Sequence, residues 1–185
     1  MSAGHGHGHG HGEHHGSKGI ALLISVLALV LAFSETLGKS AQTAGLAYNI
    51  EASNLWAFFQ AKTIRQTVLR TAAEEVEAGN AGEAAKKQAA KWKDTAQRYQ
   101  SEPETGEGRD QLAARAKEAE KKRDRSMAAY HHYELASAAV QIAIVLASAS
   151  IIAEMIALAW IGGGLGVIGV LFCVIGFFFP TAVHF

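Results

Sequence analysis

Residues 135–179 read LASAAVQIAIVLASASIIAEMIALAWIGGGLGVIGVLFCVIGFFF and contain one charged side chain, that of Glu154. A helix needs about 20 apolar residues to cross a bilayer core, so this stretch is long enough for two spans. We place the spans at residues 135–153 and 157–179, with Glu154 in a tight turn between them. A turn at residues 162–164, which are all glycine, is the alternative, but it leaves the last span short. The pattern predicts an integral membrane protein.

A third apolar run, IALLISVLALVLAF, occupies residues 20–33. Extended to residues 18–38, it is long enough to form a first transmembrane helix. A cleaved signal peptide is the alternative interpretation, with Lys18 as its charged region and cleavage after Ser34. We favour the anchor, because the run starts far from the N-terminus and cleavage would remove the tail that precedes it.

The charged side chains are concentrated in the middle of the chain. Residues 39–134 hold 16 of the 17 basic and 14 of the 17 acidic side chains. The two signs cancel over the whole chain, so no global field attracts nucleic acid, and we expect none as a partner. The single cysteine, Cys173, cannot form an internal disulfide. The sequence holds no Ser/His/Asp set, no Walker loop and no paired zinc-binding cysteines, so we expect no enzyme.

The charged middle, residues 39–134, has the composition of long helices. Glycine and proline predict breaks near residues 79–82 and 101–109. Between these breaks, five side chains repeat at the spacing of a coiled-coil seam: Ala85, Ala89, Trp92, Ala96 and Tyr99. The outgoing and returning segments have similar lengths, as a hairpin rooted in the bilayer at both ends requires. The predicted fold is therefore an all-α membrane protein with three transmembrane helices and a long antiparallel, coiled-coil-like helical hairpin outside the bilayer.

Two sets of residues are expected to mediate helix packing or assembly. The first set is aromatic and lies in the charged middle: Trp56, Phe58, Phe59 and Trp92. An apolar row at helical spacing follows it: Ala61, Ile64, Val68, Ala72 and Val76. The second set consists of glycines on one face of the last span, where small residues let a neighbouring helix approach: Gly162, Gly166, Gly169 and Gly176. Both sets favour a structural or accessory subunit that forms a homo-oligomer or docks on a larger membrane complex.

Polar residues support a second hypothesis. Residues 1–17 are expected to form a disordered tail with six histidines: His5, His7, His9, His11, His14 and His15. Imidazoles bind Zn, Ni and Cu, and ions bound by a flexible tail would exchange readily. Four further polar side chains lie in or beside the predicted spans: His131, His132, Gln141 and Glu154. A metal- or pH-responsive sensor or channel-like protein is therefore the alternative function. The simpler interpretation is that the tail is solvated and that the four polar side chains are ordinary residues of the membrane interface. We then expect no resident cofactor.

The distribution of basic residues predicts the orientation. Four of them stand just before the second span: Lys121, Lys122, Arg123 and Arg125. Only Lys18 precedes the first span, and the turn at Glu154 has no basic residue. The positive-inside rule then places the hairpin and the short tail of residues 180–185 in the cytoplasm.

Two blocks of the sequence resemble the DUF4337 family of uncharacterised bacterial membrane proteins. Residues 52–66, ASNLWAFFQAKTIRQ, form the first block, and the second extends over residues 123–143 with HHYELA at its centre. The chain differs from the family at residues 154–159, where basic residues would be expected between the last spans. The resemblance implies helical architecture and a multi-pass location in the bacterial inner membrane, in contact with membrane lipids. It implies no activity.

Overall fold

A computed structural model describes residues 13–79 and 82–182, with side chains from Lys18 onward. Four helices account for almost all of this part of the chain: α1 (Glu13–Ala78), α2 (Glu83–Gln100), α3 (Arg109–Ile152) and α4 (Ile156–Phe178). No strand occurs within the described ranges, so the predicted all-α class is confirmed. The two prolines, Pro103 and Pro180, lie outside the helices, where they remove no helical hydrogen bond.

Three of the helices are long and apolar enough to cross a membrane: α1, α3 and α4. The first apolar run lies within α1, which continues without a break to Ala78. The second lies in the C-terminal part of α3, and the third forms α4. This number of candidate spans agrees with the prediction.

The turn between α3 and α4 lies at residues 153–155, and the glycine triplet at 162–164 is inside α4. Glu154 occupies the left-handed region there, with φ of 53°. This conformation is uncommon for a residue other than glycine. The exposed Glu154 carboxylate therefore belongs to the connection and not to a span.

The backbone of the loop between α2 and α3 requires glycine at two positions. Gly106 has φ of +68°, a conformation that side chains with a Cβ adopt reluctantly. At Gly108, a Cβ would lie 2.4 Å from the backbone nitrogen of Glu102 and 2.8 Å from the Cα of Ser101. The loop folds back on itself so closely that only glycine fits at this position.

The helices are divided between two compact units. We call Met1–Gln42 and Ser126–Phe185 the apolar unit, and Thr43–Arg125 the charged unit. The apolar unit contains the start of α1, the end of α3 and all of α4. The charged unit contains the end of α1, all of α2 and the start of α3.

The core of the apolar unit is small, and most of its large side chains face outward. Leu27, Val140 and Ala143 are buried together, with partly buried side chains around them: Leu23, Val30, Leu31, Ile144 and Leu165. Many exposed side chains in this unit are leucine, isoleucine, valine or phenylalanine. This distribution is the one expected of helices surrounded by lipid, where apolar side chains need no protein cover.

The charged unit has a core built mainly of alanine and leucine. The buried members come from α1 and α3: Ala52, Leu55, Leu112, Ala116 and Ala119. Trp56 and Phe59 pack against this core from one side. In α2, Ala89 and Ala96 are buried, and the other three residues of the predicted seam are half-buried.

Candidate functional site

A buried lysine lies at the centre of the most polar cluster in the charged unit. Lys62 of α1 is only 5% exposed. Its Nζ lies 3.7 Å from Glu102 Oε2 and 3.6 Å from Glu107 Oε2, both in the loop between α2 and α3. A buried ammonium group is stable only where other groups replace its lost hydration, and these two carboxylates supply that compensation.

Two aromatic rings complete the environment of the lysine. The Nζ of Lys62 lies 5.3 Å from the ring centroid of Phe58 and 5.5 Å from that of Tyr99. At these distances the negative faces of the rings attract the cation. The Lys62 side chain thus joins α1, α2 and the loop through contacts of two kinds.

Gln66, one helical turn after Lys62, extends the cluster to α3. It is 2% exposed, and its Nε2 donates to the carbonyl of Ala96 over 2.9 Å and to Gln100 Oε1 over 3.2 Å. Its Oε1 accepts a hydrogen bond from Arg109 Nη1. The Arg109 guanidinium also donates to Gln100 over 3.0 Å and lies 4.9 Å from the Phe59 ring centroid. Buried polar groups that are paired in this way fix the register of neighbouring helices.

The carboxylate of Glu102 is held at the edge of this cluster by several cationic and polar groups. Arg98 Nη2 lies 2.9 Å from its Oε1. The hydrogen bond from Arg98 lowers the pKa of Glu102 below its ordinary value, and a hydrogen bond from the Thr105 hydroxyl and the charges of Arg98 and Lys62 act in the same direction. Glu102 is therefore ionised at neutral pH, as its contact with Lys62 requires.

The arrangement connects α1, α2, α3 and the loop between α2 and α3. Lys62, Gln66 and Arg109 Nη1 contact neighbouring helices or the loop, whereas Arg109 Nε is buried without a hydrogen-bond partner among the described residues. The lysine and the glutamine at the centre of the arrangement are almost completely buried. We call the six residues the lysine clamp: Lys62, Gln66, Gln100, Glu102, Glu107 and Arg109.

The four aromatic residues named from the sequence lie in the charged unit, and two of them, Phe58 and Phe59, contact the clamp. Trp56 Nε1 donates to Glu120 Oε1 over 2.9 Å, and its ring meets that of Phe59 edge-to-face at 5.4 Å. Trp92 in α2 is half-buried. Phe58 is the most exposed of the four, since it covers Lys62 from the solvent side.

The glycines named from the sequence line the side of α4 that packs within the apolar unit. A Cβ on Gly162 would lie 2.8 Å from the carbonyl oxygen of Ala143, and one on Gly166 would lie 2.4 Å from Leu27. A Cβ on Gly169 would lie 2.5 Å from Val140, and one on Gly176 would be 3.0 Å from His132. The glycine row is thus occupied by contacts within the chain.

The polar residues named from the spans do not converge on one site. His132 is buried, with Nε2 3.2 Å from the carbonyl oxygen of Pro180 and its ring stacked on Phe172. His131 is exposed, 3.7 Å from Glu134. Gln141 donates to Glu35 over 3.4 Å. Glu154, in the turn, is exposed.

The metal hypothesis rests on the histidine tail, which the structure does not reach. His5, His7, His9 and His11 lie outside the described residues, and so do the side chains of His14 and His15. Among the residues that are described, no group of three or more His, Cys, Asp or Glu side chains is arranged to hold a metal ion.

The lysine clamp was not predicted from the sequence, although the sequence holds a signal for it. Leu55, Phe59, Lys62 and Gln66 follow one another at spacings of four, three and four residues, so all of them lie on one helical face. Lys62 and Gln66 are polar residues that continue an apolar helical face, and this pattern indicates a buried polar contact. Ser34 was also missed: it is buried in the apolar unit, donates to the carbonyl of Tyr133 over 2.9 Å and accepts from Ser137 over 3.2 Å.

Comparison with known proteins agrees with the resemblance seen in the sequence. Residues 16–179 match the family described as Domain of unknown function (DUF4337). The match includes the lysine clamp, the glycine row and all three candidate spans. No curated protein and no solved structure is significantly similar to the chain. Since the match extends over most of its length, the chain belongs to the DUF4337 family.

Proposed function

We propose that the protein is a non-enzymatic scaffold or accessory subunit of the membrane, anchored by its apolar unit and assembling through its charged unit. One observation carries the proposal: α1 exposes large apolar side chains within the charged unit. Leu46 and Ile50 are 61% and 53% exposed, and Ile64 and Val68 are 65% and 60% exposed. Lipid accounts for exposed apolar side chains within a span, but large exposed apolar side chains outside it indicate a surface that another protein covers.

The engagement of the charged unit's most buried polar groups supports a scaffolding role over an enzymatic one. Lys62, Gln66 and Arg109 fix the helices and the loop in position. Such contacts produce a rigid surface, and a rigid surface reduces the entropy lost on binding a partner.

Two contacts support the interpretation of the first apolar run as a retained anchor. Leu27 is buried against Val140 and Ala143, and a Cβ on Gly166 would collide with it. Ser34, the residue after which a signal peptidase would cut, is buried and hydrogen-bonded to α3. Cleavage would remove a helix from the core of the apolar unit.

We place the protein in the bacterial inner membrane with the charged unit outside the bilayer, in the cytoplasm. The basic cluster at residues 121–125 stands just before the second span, and the turn at Glu154 has no basic residue. The positive-inside rule assigns such a cluster to the cytoplasmic side.

The test is the mass and composition of the native particle after mild solubilisation. The full chain should migrate as a discrete particle larger than one chain with its bound detergent, in the form of a homo-oligomer or a complex with other membrane proteins. A single chain with no co-purifying protein, at the concentration found in the membrane, would contradict the proposed role.

A further inference from the structure

A row of seven residues follows the outer face of α1 in the charged unit: Ala47, Ile50, Asn54, Ala57, Ala61, Ile64 and Val68. We call this row the outer stripe. Its residues follow one another at alternating spacings of three and four, and all seven are exposed. The stripe is about 32 Å long at 1.5 Å per residue. It faces away from the internal core, which takes the Leu55, Lys62 and Gln66 side of the same helix.

The outer stripe has the composition of a helix-pairing seam. Six of its seven residues are apolar, and the polar one is the uncharged Asn54. The four charged residues between positions 43 and 71 all lie off the stripe: Glu51, Lys62, Arg65 and Arg70. Apolar residues at alternating spacings of three and four, maintained over three heptads, are typical of a coiled-coil interface.

We propose that the outer stripe pairs with the same stripe of a second copy, parallel and in register. This inference rests on the assembly role proposed above and names the partner. Copies inserted into one membrane with the same topology run α1 in the same direction, so a parallel pair needs no rearrangement of either chain. Ala57 and Ala61, at the centre of the stripe, allow the two backbones to approach closely.

Asn54 favours this occupant over an unrelated helix. A single asparagine within an otherwise apolar seam specifies a two-stranded, in-register pair, because each amide can bond to its counterpart. Against an apolar surface of another protein, the same amide would be left without a hydrogen-bonding partner.

The charged residues that border the stripe are compatible with the parallel register. In that register, Glu51 lies beside Leu46 of the second copy, and Arg65 lies beside Gln60 of the second copy. No like charges meet across the interface, so electrostatic repulsion does not oppose self-pairing.

Cysteine cross-linking in membranes tests the register. In a full chain with Cys173→Ala, single cysteines are introduced by Ala57→Cys or Ile64→Cys on the stripe, with Arg70→Cys as an exposed control off the stripe. Equivalent seam positions in a parallel pair come within disulfide reach, whereas the control positions do not. Oxidation should give at least about fivefold more covalent dimer at positions 57 and 64 than at position 70. Equal yields at all three positions, or none, would overturn the proposal.

A charge on the stripe provides the second test. Ile64→Glu places carboxylates opposite each other in the pair and should reduce the self-associated particle to half its mass, whereas the adjacent Arg65→Glu should not. Both residues are exposed, so neither substitution disturbs the internal core. A particle that contains other proteins but no cross-linked pair would overturn self-pairing and leave the scaffold proposal standing. A lone chain would overturn both.

Discussion

At the scale of single residues, the charged unit depends on one buried cation. Lys62 places its ammonium group between Glu102 and Glu107, within 5.5 Å of the ring centroids of Phe58 and Tyr99, and its whole side chain is buried. The side chain of Glu107 is half exposed, so water can partly compensate that carboxylate if the lysine is removed. Lys62 therefore contributes to the stability of the charged unit through its packing as well as through its charge.

Replacing Lys62 should separate these two contributions. Lys62→Ala removes both the ammonium and the stem and should cost about 2–3 kcal/mol of stability. Lys62→Met keeps most of the stem against Phe58 and Tyr99 and should cost about half as much. Thermal unfolding of the solubilised protein, followed by circular dichroism, provides the measurement. The exposed Arg65→Met is the control, and equal losses for Lys62→Ala and Arg65→Met would refute the role given to the clamp.

The pKa of Glu102 gives the loop a predictable pH dependence. Arg98 and its neighbours lower this pKa from its ordinary value of 4.5, so the contribution of Glu102 to stability is present above about pH 4.5 and is lost as the pH falls below its folded value. Proteolysis within residues 101–108 should therefore accelerate on acidification. Glu102→Gln should accelerate cleavage already at neutral pH and remove the pH dependence. Identical acid profiles for the two proteins would exclude Glu102 as the responsible group.

At the scale of helices, the glycines of α4 differ in whether they contact another helix. A Cβ on Gly162 would lie 2.8 Å from a backbone oxygen of α3, which cannot move without shifting that helix. Gly163 and Gly164 have open space around the position of a Cβ. Some glycines in this run therefore lie where a side chain would collide with another helix, and others lie where it would not.

A matched pair of substitutions in α4 tests this distinction. Gly162→Ala should destabilise the packing of α4 by about 1–3 kcal/mol, because the added methyl group overpacks the contact with Ala143. Gly164→Ala should be neutral or slightly stabilising, because alanine is the better helix former. The stabilities of the two variants are compared by unfolding them in a detergent series. A greater loss at Gly164 than at Gly162 would contradict the placement of the glycine row.

At the scale of the whole molecule, periodicity and composition predicted the all-α class and the number of candidate spans. The lysine clamp could not be found in the same way, because burial of a lysine depends on a loop that arrives from 40 residues further along the chain. In the row predicted from spacing, Ala61, Ile64 and Val68 are exposed, and Ala72 and Val76 are half-buried. The buried residues lie on the other face of α1. Spacing identifies a helix, and only tertiary contacts decide which face is covered.

The most direct test of the account is cysteine labelling with a membrane-impermeant maleimide in sealed vesicles. In the Cys173→Ala background, Lys91→Cys reports on the charged unit and Val145→Cys on an outward-facing apolar position. We expect Lys91→Cys to react in inside-out vesicles only, and Val145→Cys to react only after denaturation. Equal labelling of the two cysteines in sealed vesicles, or protection of Lys91→Cys on both sides, would contradict an apolar unit in the bilayer and a charged unit in the cytoplasm.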